Sequence, residues 1–474
     1  MKYLSVFLLI LLSKMSFSQS QKEMYSIMDT NAAKLKEKSG AYSVSVGILK
    51  DGKVYTRHYG EIDKGQGNRA TDNTYFEIAS VTKLLTGQLV AQAVLENKIS
   101  LEDDIRKYLK GSYPNLEYNG TPIRVKDLIS YRTALPRSLP DDKALRENLT
   151  DETPFEYNKL GENYTKDQFK QDLHQVKLDT LPGTQYVYSN ISLEIAGLML
   201  ENIYGQSYES LLKKNILSKA GMNHTRLELA KNEILANGYY SNGRLMPHFK
   251  SLLWGASGMK TKSTMGDLMK FLQYELDAKN TVAQESQRNI SDSQSGWFGY
   301  FWDNFGTNEY GKNGFKHGGA FGNQVWFAVY PELNTGICMI VNISGPETFP
   351  ALYDAGADLI GDLENHSDKK QTYGYTIKGN NVVFSYTHGK NLDAKLIYSV
   401  FVAGSFNDWN SENKEYQMRK KNENQFELEV PLSRFEKGKT YSFKFVLNKE
   451  FWMTAPKNAS NTDGTKDNNL VLVL

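Results

Sequence analysis

The sequence predicts an α+β fold: an antiparallel sheet flanked by helices, with an inserted helical subdomain, followed by a small all-β sandwich. Residues from about 100 to 295 show helical and polar-loop patterns. Short aromatic-rich strands separated by turns fill residues 373–474, as in a β-sandwich. Strand-like runs lie on both sides of the helical middle, at Tyr42–Leu49, Val54–Tyr59, Gln324–Tyr330 and Gly336–Ile343. This order predicts one sheet closed by the two ends of the first domain.

The first 18 residues are typical of a signal peptide. Residues 3–12 form an apolar run after Lys2, and Ser16-Phe17-Ser18 offers small residues for cleavage. A run of ten residues is too short to cross a bilayer as a helix, although an uncleaved tether stays an alternative. We therefore expect export to the periplasm or the medium.

Composition excludes several classes of function. Without residues 1–18, which hold two of the 56 basic residues and no acidic ones, 54 basic residues face 54 acidic residues. Such balance favours neither nucleic acid nor an anionic membrane as a partner. The seven histidines are scattered, so we expect no metal and no other cofactor. Cys338 is the single cysteine, which excludes an intrachain disulfide.

Each element of the first domain, residues 19–363, has its own signal. An opening helix is predicted over 22–38, and Asp51-Gly52 predicts a tight hairpin. Apolar residues at helical spacing predict a helix that begins near Ser80, and a last helix is expected over 348–363. The polar stretch 138–180 is expected to cover or rim a site. Residues 364–372 are charged and polar, which is typical of a linker.

Ser80-Val81-Thr82-Lys83 is the first candidate catalytic motif. The pattern Ser-x-x-Lys alone is weak, because it occurs five times in the chain. Here it stands at the start of a helix, so that Lys83 lies on the same face as Ser80 and can reach its hydroxyl. The helix N-terminus also favours a developing oxyanion. The alternative is that Ser80 only caps the helix and that Lys83 is a solvated charge on its surface.

Two further motifs follow in the order that serine-hydrolase chemistry requires. Tyr188-Ser189-Asn190 precedes a helical stretch, so the phenol and the amide project from a fixed helix entrance. His317-Gly318-Gly319-Ala320 opens a strand whose glycines would let substrate lie against the backbone. The Ala320 N–H is expected to pair with that of Ser80 as an oxyanion hole.

Together these motifs resemble the serine β-lactamase and penicillin-binding-protein-like superfamily, closest to class C β-lactamases, D-alanyl-D-alanine carboxypeptidases and related esterases. The resemblance covers residues 40–345. It implies Ser80 as nucleophile, Lys83 and Tyr188 as proton handlers, and Asn190 as orienter of the substrate and of the catalytic network. The third motif would line the cleft. Whether Lys83 or Tyr188 is the base stays open, since both titrate near ~10 when free.

The departures from the family pattern bear on the substrate. Relatives with Lys-Thr-Gly in the third motif use lysine and threonine to bind a substrate carboxylate, and His317 and Gly318 are expected at those positions. Arg132 is a further candidate to reach the cleft. We expect ester or D-amino-acid-type peptide hydrolysis first, with β-lactamase or D-Ala-D-Ala carboxypeptidase activity as the alternative. A non-catalytic penicillin- or glycan-binding protein is the rival from another class.

Residues 399–452 resemble the glycogen-binding modules of AMP-activated kinase β-subunits and isoamylase-type enzymes. The resemblance rests on Val402–Trp409, Phe443–Phe445 and Trp452. It implies an immunoglobulin-type sandwich that binds an α-glucan or another glycan. The sugar-binding residues that it implies are Trp409, Lys444, Trp452 and Asn468. Asn448-Lys449-Glu450 replaces the usual Asp-Gly hairpin, and a sandwich used only for packing is the alternative.

Overall fold

The structure is a computed structural model that describes residues 2–290, 296–308, 310–364, 372–387, 397–422, 425–456 and 459–474. The helices are α1 Lys2–Ser39, α2 Thr82–Leu95, α3 Val125–Ile129, α4 Lys143–Glu147, α5 Thr153–Gly161, α6 Lys166–Leu173, α7 Asn190–Tyr204, α8 Tyr208–Leu212, α9 Ser218–Ala220, α10 Met265–Leu276, α11 Thr281–Ser286 and α12 Thr348–Glu364. The strands of the first part of the chain are β1 Ser43–Lys50, β2 Lys53–Gly60, β3 Tyr75–Glu77, β4 Glu117–Tyr118, β5 Thr121–Pro122, β6 Tyr239–Tyr240, β7 Lys262–Thr264, β8 Gly296–Trp297, β9 Asn304–Asn308, β10 Gly311–Gly319, β11 Gln324–Tyr330, β12 Thr335–Val341 and β13 Ile343–Ser344. Those of the last part are β14 Tyr375–Lys378, β15 Asn381–Thr387, β16 Val400–Gly404, β17 Arg419–Lys420, β18 Gln425–Pro431, β19 Thr440–Leu447, β20 Phe451–Trp452 and β21 Leu470–Val473.

The main sheet has seven strands in the order β2-β1-β12-β11-β10-β9-β8. Strand β1 pairs antiparallel with β12, from Val44 opposite Val341 to Lys50 opposite Thr335. The sheet is therefore closed by segments from the two ends of the domain, which confirms the prediction from strand order. The Asp51-Gly52 turn has left-handed φ angles of 50° and 75°, as the predicted hairpin between β1 and β2 requires.

The helical middle is built around α2. Residues Thr82 to Ala93 of this helix are all buried, so the helix runs through the core instead of lying on a surface. It packs against α7, α8 and α11. The strand β10 also reaches this core, because a side chain at Gly318 would overlap the carbonyl oxygen of Ile78 and approach Val81. This contact brings the third motif beside the first.

The chain divides into two compact units. One comprises Met1–Phe305, Gly314–Tyr330 and Asn334–Gly356, and the other comprises Gly306–Asn313, Pro331–Leu333 and Ala357–Leu474. The later residues of the second unit form two sheets, β14-β15-β18-β17 and β16-β19-β20, with β21 paired to β19. Phe384 of one sheet and Phe443 of the other lie 5.2 Å apart between ring centres in a shared core. The prediction of an all-β region after the helical domain is confirmed.

The terminal and linking segments were also predicted. The opening helix expected over 22–38 lies within α1. Among the described residues, no helix combines the length and the apolar character needed to span a membrane. The predicted linker 364–372 lies almost wholly outside the described residues, so it stays a prediction, as does the signal peptide.

Candidate active site

Ser80 lies in a short 3₁₀ turn, Ala79–Val81, that leads directly into α2. Ala79 has a left-handed φ of 43°, which turns the chain sharply before the serine. Gly258 passes so close to this turn that a Cβ there would overlap the Ala79 carbonyl oxygen. The sharp turn directs the Ser80 hydroxyl into a cavity, while Lys83 follows it on the first turn of α2.

The structure brings together the three side chains predicted to carry the chemistry. The Ser80 Oγ lies 2.7 Å from the Tyr188 hydroxyl, and the Lys83 Nζ donates to Ser80 Oγ at 3.1 Å. Lys83 also donates to the backbone carbonyl of Ser257. Tyr188 stands two residues before α7, whose N-cap is the Ser189 side chain. Three segments distant in sequence thus meet around one hydroxyl.

Burial favours uncharged forms of both partners of the serine. Lys83 is 1% exposed, and burial, followed by the positive charge of Lys316, holds its pKa well below the usual value. Burial, followed by the negative charge of Asp303, raises the pKa of Tyr188. The pair therefore consists of an amine that releases its proton easily and a phenol that retains its own.

Lys316 is a site residue that the sequence analysis overlooked. Its ammonium is fully buried and lies 5.2 Å from the centre of the Tyr188 ring. Its Nζ donates to Asp303 Oδ1 at 2.5 Å, to the Phe301 carbonyl at 2.7 Å and to the Tyr131 hydroxyl at 3.2 Å. A lysine directly before His317 was the available signal in the sequence.

The structure places His317 beside Gln324 and Phe349. Its Nε2 lies 2.8 Å from Gln324 Oε1, and its ring packs edge-on against Phe349 at 4.8 Å. His317 is not among the residues that line the cavity around Ser80, whereas Gly319 and Ala320 are. Burial lowers the pKa of His317, so the imidazole is neutral at pH 7. The ring is a packed side chain behind the motif.

The predicted oxyanion donor Ala320 and its neighbour Gly319 both line the cavity around Ser80. The Ala320 N–H donates to the Asn323 carbonyl at 2.8 Å, within the hairpin that joins β10 to β11. The His317 N–H instead donates to Asp303 Oδ2 at 2.8 Å, away from β11. Because N–H groups alternate along a strand, the N–H of Gly319 points to the same side as that of His317. Gly319, which lines the cavity together with Ala320, is thus a further candidate oxyanion donor.

Asn190 lines the same cavity without contacting the lysine. Its side-chain amide lies 3.5 Å from the Ser138 hydroxyl, and its backbone N–H donates to the Arg137 carbonyl at 2.7 Å. The Ser189 hydroxyl donates to the Pro136 carbonyl at 2.7 Å. The second motif is therefore tied to the segment 136–138, which sequence reasoning left unassigned. This tie fixes Arg137 beside Tyr188.

Two adjoining cavities surround these residues. The cavity around Ser80 has a volume of 180 Å³. A second, of 850 Å³, is lined mainly by residues of the polar stretch 138–180 and of the segment that precedes it. Arg137 and Tyr188 line both, so a substrate can extend from one into the other. Arg132 lines neither cavity, so the arginine that reaches the cleft is Arg137.

The buried carboxyl group of Glu194 is linked to Lys83 through the backbone of Ser257. Glu194 Oε1 accepts the backbone N–H of Ser257 at 2.8 Å, and the carbonyl of the same residue accepts the Lys83 amine. Burial raises the pKa of Glu194 to about 7. Glu194 therefore positions the peptide that holds Lys83 and is a second site residue that the sequence did not single out.

The structure places the residues implied for sugar binding as follows. The rings of Trp409 and Trp452 lie 6.2 Å apart between centres at an angle of 44°, and Trp452 is 42% exposed. Trp452 pairs with Val446 across β20 and β19, so Lys444, two residues from Val446, lies on the same sheet face. Asn468 sits in a turn, where its amide lies 3.4 Å from the Ala455 carbonyl.

Comparison with known proteins places the chain among serine hydrolases of one type. A sequence model of the family described as Beta-lactamase matches residues 28–360. The D-alanyl-D-alanine-carboxypeptidase/endopeptidase AmpH of Escherichia coli K12 is 27% identical over 72% of the chain and 89% of its own length. Protein flp of Staphylococcus aureus N315 is 25% identical over 71% of the chain. The match spans 66% of the length of flp.

A solved structure supports the fold. The β-lactamase/D-alanine carboxypeptidase of Yersinia pestis aligns with a TM-score of 0.59 at 21% identity. The alignment covers 72% of this chain and 98% of that one. The fold of the first part of the chain is therefore that of the β-lactamase and transpeptidase enzymes.

Proposed function

The chain belongs to the Beta-lactamase family of serine hydrolases, and from this premise we propose that it is an exported enzyme that cleaves an ester or a D-amino-acid-type peptide through an acyl-enzyme on Ser80. The observation that carries the proposal is the pair of contacts at the Ser80 hydroxyl, 2.7 Å to Tyr188 and 3.1 Å to Lys83. Export rests on the leader-like residues 1–18.

In the acylation step, Ser80 Oγ bonds to the carbonyl carbon of the substrate. The lone pair of the Lys83 amine takes the hydroxyl proton, because burial lowers the pKa of this amine and favours its uncharged form. The N–H groups of Ser80 and Gly319 support the negative charge that develops on the carbonyl oxygen. The Tyr188 hydroxyl passes a proton to the leaving group and regains one from Lys83.

In the second step, water attacks the acyl carbon and the bond to Ser80 breaks. Lys83, again neutral, takes the proton of the water through Tyr188 and returns it to Ser80 Oγ. The acid is released and the site returns to its starting state. Residues of this chain alone carry the proton balance, so the proposed reaction consumes only substrate and water.

The substrate class is supported by the site and by the relatives. AmpH is named for D-alanyl-D-alanine carboxypeptidase and endopeptidase activity, which favours a peptide of D-amino acids. The cavity of 180 Å³ around Ser80 favours a small acyl group. β-Lactam hydrolysis ranks lower, because the Lys316 ammonium is wholly engaged by protein acceptors.

A turnover panel tests the proposal. Wild-type protein is assayed with p-nitrophenyl esters, nitrocefin and D-alanyl peptides, with Ser80→Ala as the matched control. We expect sustained turnover of an ester or a peptide that the Ser80→Ala variant loses. Acylation that stops at one equivalent would support the non-catalytic penicillin-binding alternative instead. Turnover that survives Ser80→Ala on every substrate would reject the assigned nucleophile.

A second function, glycan binding by the last sheets of the chain, is favoured by the neighbouring rings of Trp409 and Trp452. Flat rings suit the apolar faces of a sugar, and Lys444 on the same face would bind hydroxyl groups. Affinity electrophoresis in gels with glycogen or amylose tests this function. Retardation of the wild type that Trp409→Ala and Trp452→Ala each abolish supports it, and equal mobility of all three contradicts it.

A further inference from the structure

We propose that Arg137 binds a carboxylate of the substrate, so that the enzyme selects acyl donors that carry an anionic group close to the scissile carbonyl. This inference rests on the proposed hydrolase function of Ser80. Under this proposal the anion is recognised by Arg137, in the segment just before the polar stretch 138–180, and not by the third motif.

The third motif has no cationic donor left for a substrate. The three protons of the Lys316 ammonium match its three acceptors, which are Asp303, the Phe301 carbonyl and the Tyr131 hydroxyl. Its charge is also neutralised by the Asp303 carboxylate. The next residue, His317, is neutral, bonded to Gln324 and turned away from the cavity. A substrate anion must therefore find its cation elsewhere.

Among the described residues, Arg137 is the cationic side chain besides Lys83 that lines the cavity around Ser80. It is half-buried and lines both the cavity around Ser80 and the larger adjoining one. Its guanidinium carbon lies 5.0 Å from the centre of the Tyr188 ring. Within the described part of the chain, no carboxylate forms an ion pair with it, and its backbone carbonyl is held by the Asn190 N–H at 2.7 Å.

The other charged groups of the Ser80 cavity do not compensate Arg137. Burial lowers the pKa of the Lys83 amine and so favours its uncharged form. Asp142 is bonded to Arg146 at 2.8 Å and to the Tyr157 hydroxyl at 3.0 Å, so its charge is already paired. The net charge next to Ser80 is therefore positive, and it is concentrated on a planar group.

A guanidinium is suited to a carboxylate in particular. Its N–H groups form a fixed fork that matches two carboxylate oxygens, and the bond gains strength away from bulk water. Because Arg137 stands where the two cavities meet, a carboxylate bound there leaves the scissile carbonyl at Ser80 and the remainder of the substrate in the larger cavity.

Matched probes test the inference. For catalysis, kcat/KM is measured for p-nitrophenyl hemiglutarate against p-nitrophenyl valerate, and for N-acetyl-D-alanyl-D-alanine against its C-terminal amide. The two pairs place the carboxylate on the acyl side and on the leaving-group side. For binding, calorimetry gives Kd for 3-carboxyphenylboronic acid and its carboxamide analogue, which form an adduct with a serine nucleophile whether or not turnover occurs.

We expect wild type to prefer the carboxylate member of at least one pair, and Arg137→Gln to reduce that preference by ~10-fold or more. Arg137→Lys keeps the positive charge but lacks the planar fork of N–H groups. Its preference for the carboxylate probe should therefore lie between those of wild type and Arg137→Gln. Arg132→Gln removes an equal charge from a residue that lines neither cavity and should keep the wild-type ratio. Absence of a preference in wild type, or an unchanged ratio in Arg137→Gln, would overturn the inference. Boronate binding that survives Ser80→Ala would instead contradict the proposed nucleophile.

Discussion

The Lys316 ammonium lies beneath the Tyr188 ring, 5.2 Å from its centre, while Lys83 approaches the same ring at 5.3 Å. Two buried amino groups thus share one aromatic ring. Burial lowers the pKa of Lys316, but the hydrogen-bonded Asp303 carboxylate favours its charged form, and that charge helps to hold the pKa of Lys83 down. The buried pair of Lys316 and Asp303 behind the Tyr188 ring therefore helps to set the pKa of Lys83.

Removing Lys316 and removing Asp303 should shift the pH profile of kcat/KM in opposite directions. Lys316→Met removes a positive charge that lowers the pKa of Lys83, so the acid limb of log kcat/KM should move to higher pH, by ~1 pH unit. Asp303→Asn removes a negative charge that raises the pKa, so the limb should move to lower pH.

The pH profiles of both variants test this relationship, with Arg132→Gln as a remote charge control. Each variant should also lose ~3 kcal/mol of unfolding free energy, since breaking a buried pair leaves one partner uncompensated. Limbs that move in the same direction for both variants would contradict the electrostatic role of Lys316.

The acid limb itself should belong to Lys83. Because the amine must be deprotonated to accept the serine proton, kcat/KM should rise as pH increases through the lowered pKa of Lys83. Lys83→Ala should lose the limb together with a factor of ~10²–10⁴ in kcat/KM. Steady-state kinetics across the pH range measure both. A limb that persists at the same pH in this variant would assign the base to another group.

His317→Asn tests whether the histidine, as opposed to the neighbouring Lys316, affects the pH profile of catalysis. The ring is bonded to Gln324 and lies outside the Ser80 cavity. We therefore expect the variant to keep the acid limb at the wild-type pH, with a loss of ~1 kcal/mol of stability from the hydrogen bond. A pH profile flattened by this substitution would restore the cleft role first expected for the imidazole.

The buried lysine should reduce stability. In the unfolded chain a lysine titrates near ~10.4, whereas burial lowers the pKa of Lys83 in the fold. Between these two values the unfolded state binds more protons, so stability contributed by this site rises with pH. Lys83→Met should therefore raise the unfolding free energy by on the order of 1–2 kcal/mol at neutral pH and less at pH near ~10. Denaturant titrations at both values measure the difference, and an equal gain at both would contradict the argument.

The close approach of β10 to the nucleophile turn predicts a large effect of one methyl group. A Cβ at Gly318 would overlap the Ile78 carbonyl oxygen, so Gly318→Ala should push the strand from Ser80 and lower kcat/KM by ~10-fold or more. Gly161→Ala is the matched control, because the nearest atom to its Cβ is 3.4 Å away. Equal kcat/KM of the two variants would show that β10 accommodates the extra methyl group without a loss of activity.

The sequence revealed the parts of the fold that depend on local patterns and on order. The hairpin at Asp51-Gly52, the helix after Ser80 and the return of strands after residue 324 were all visible in the chain. They were visible because turn residues and apolar spacing act within a few residues.

Sequence patterns did not show which face of a strand or segment a residue presents. Whether Lys316 or His317 faces Tyr188 depends on strand register, and a shift of one residue exchanges the faces. Arg137 reaches the cleft because the Asn190 N–H holds its carbonyl, a contact between segments that no local pattern encodes. For the same reason Glu194, in the interior of α7, could not be distinguished from other helix residues.

The central claim is that Ser80 carries the acyl group. Wild-type protein is mixed with a p-nitrophenyl ester, quenched in acid within the first turnovers and digested for mass spectrometry. We expect the acyl mass on the peptide that contains Ser80 and its absence from Ser80→Ala. An acyl mass on another residue, or turnover by wild type with no adduct at Ser80 in the quenched samples, would contradict the account.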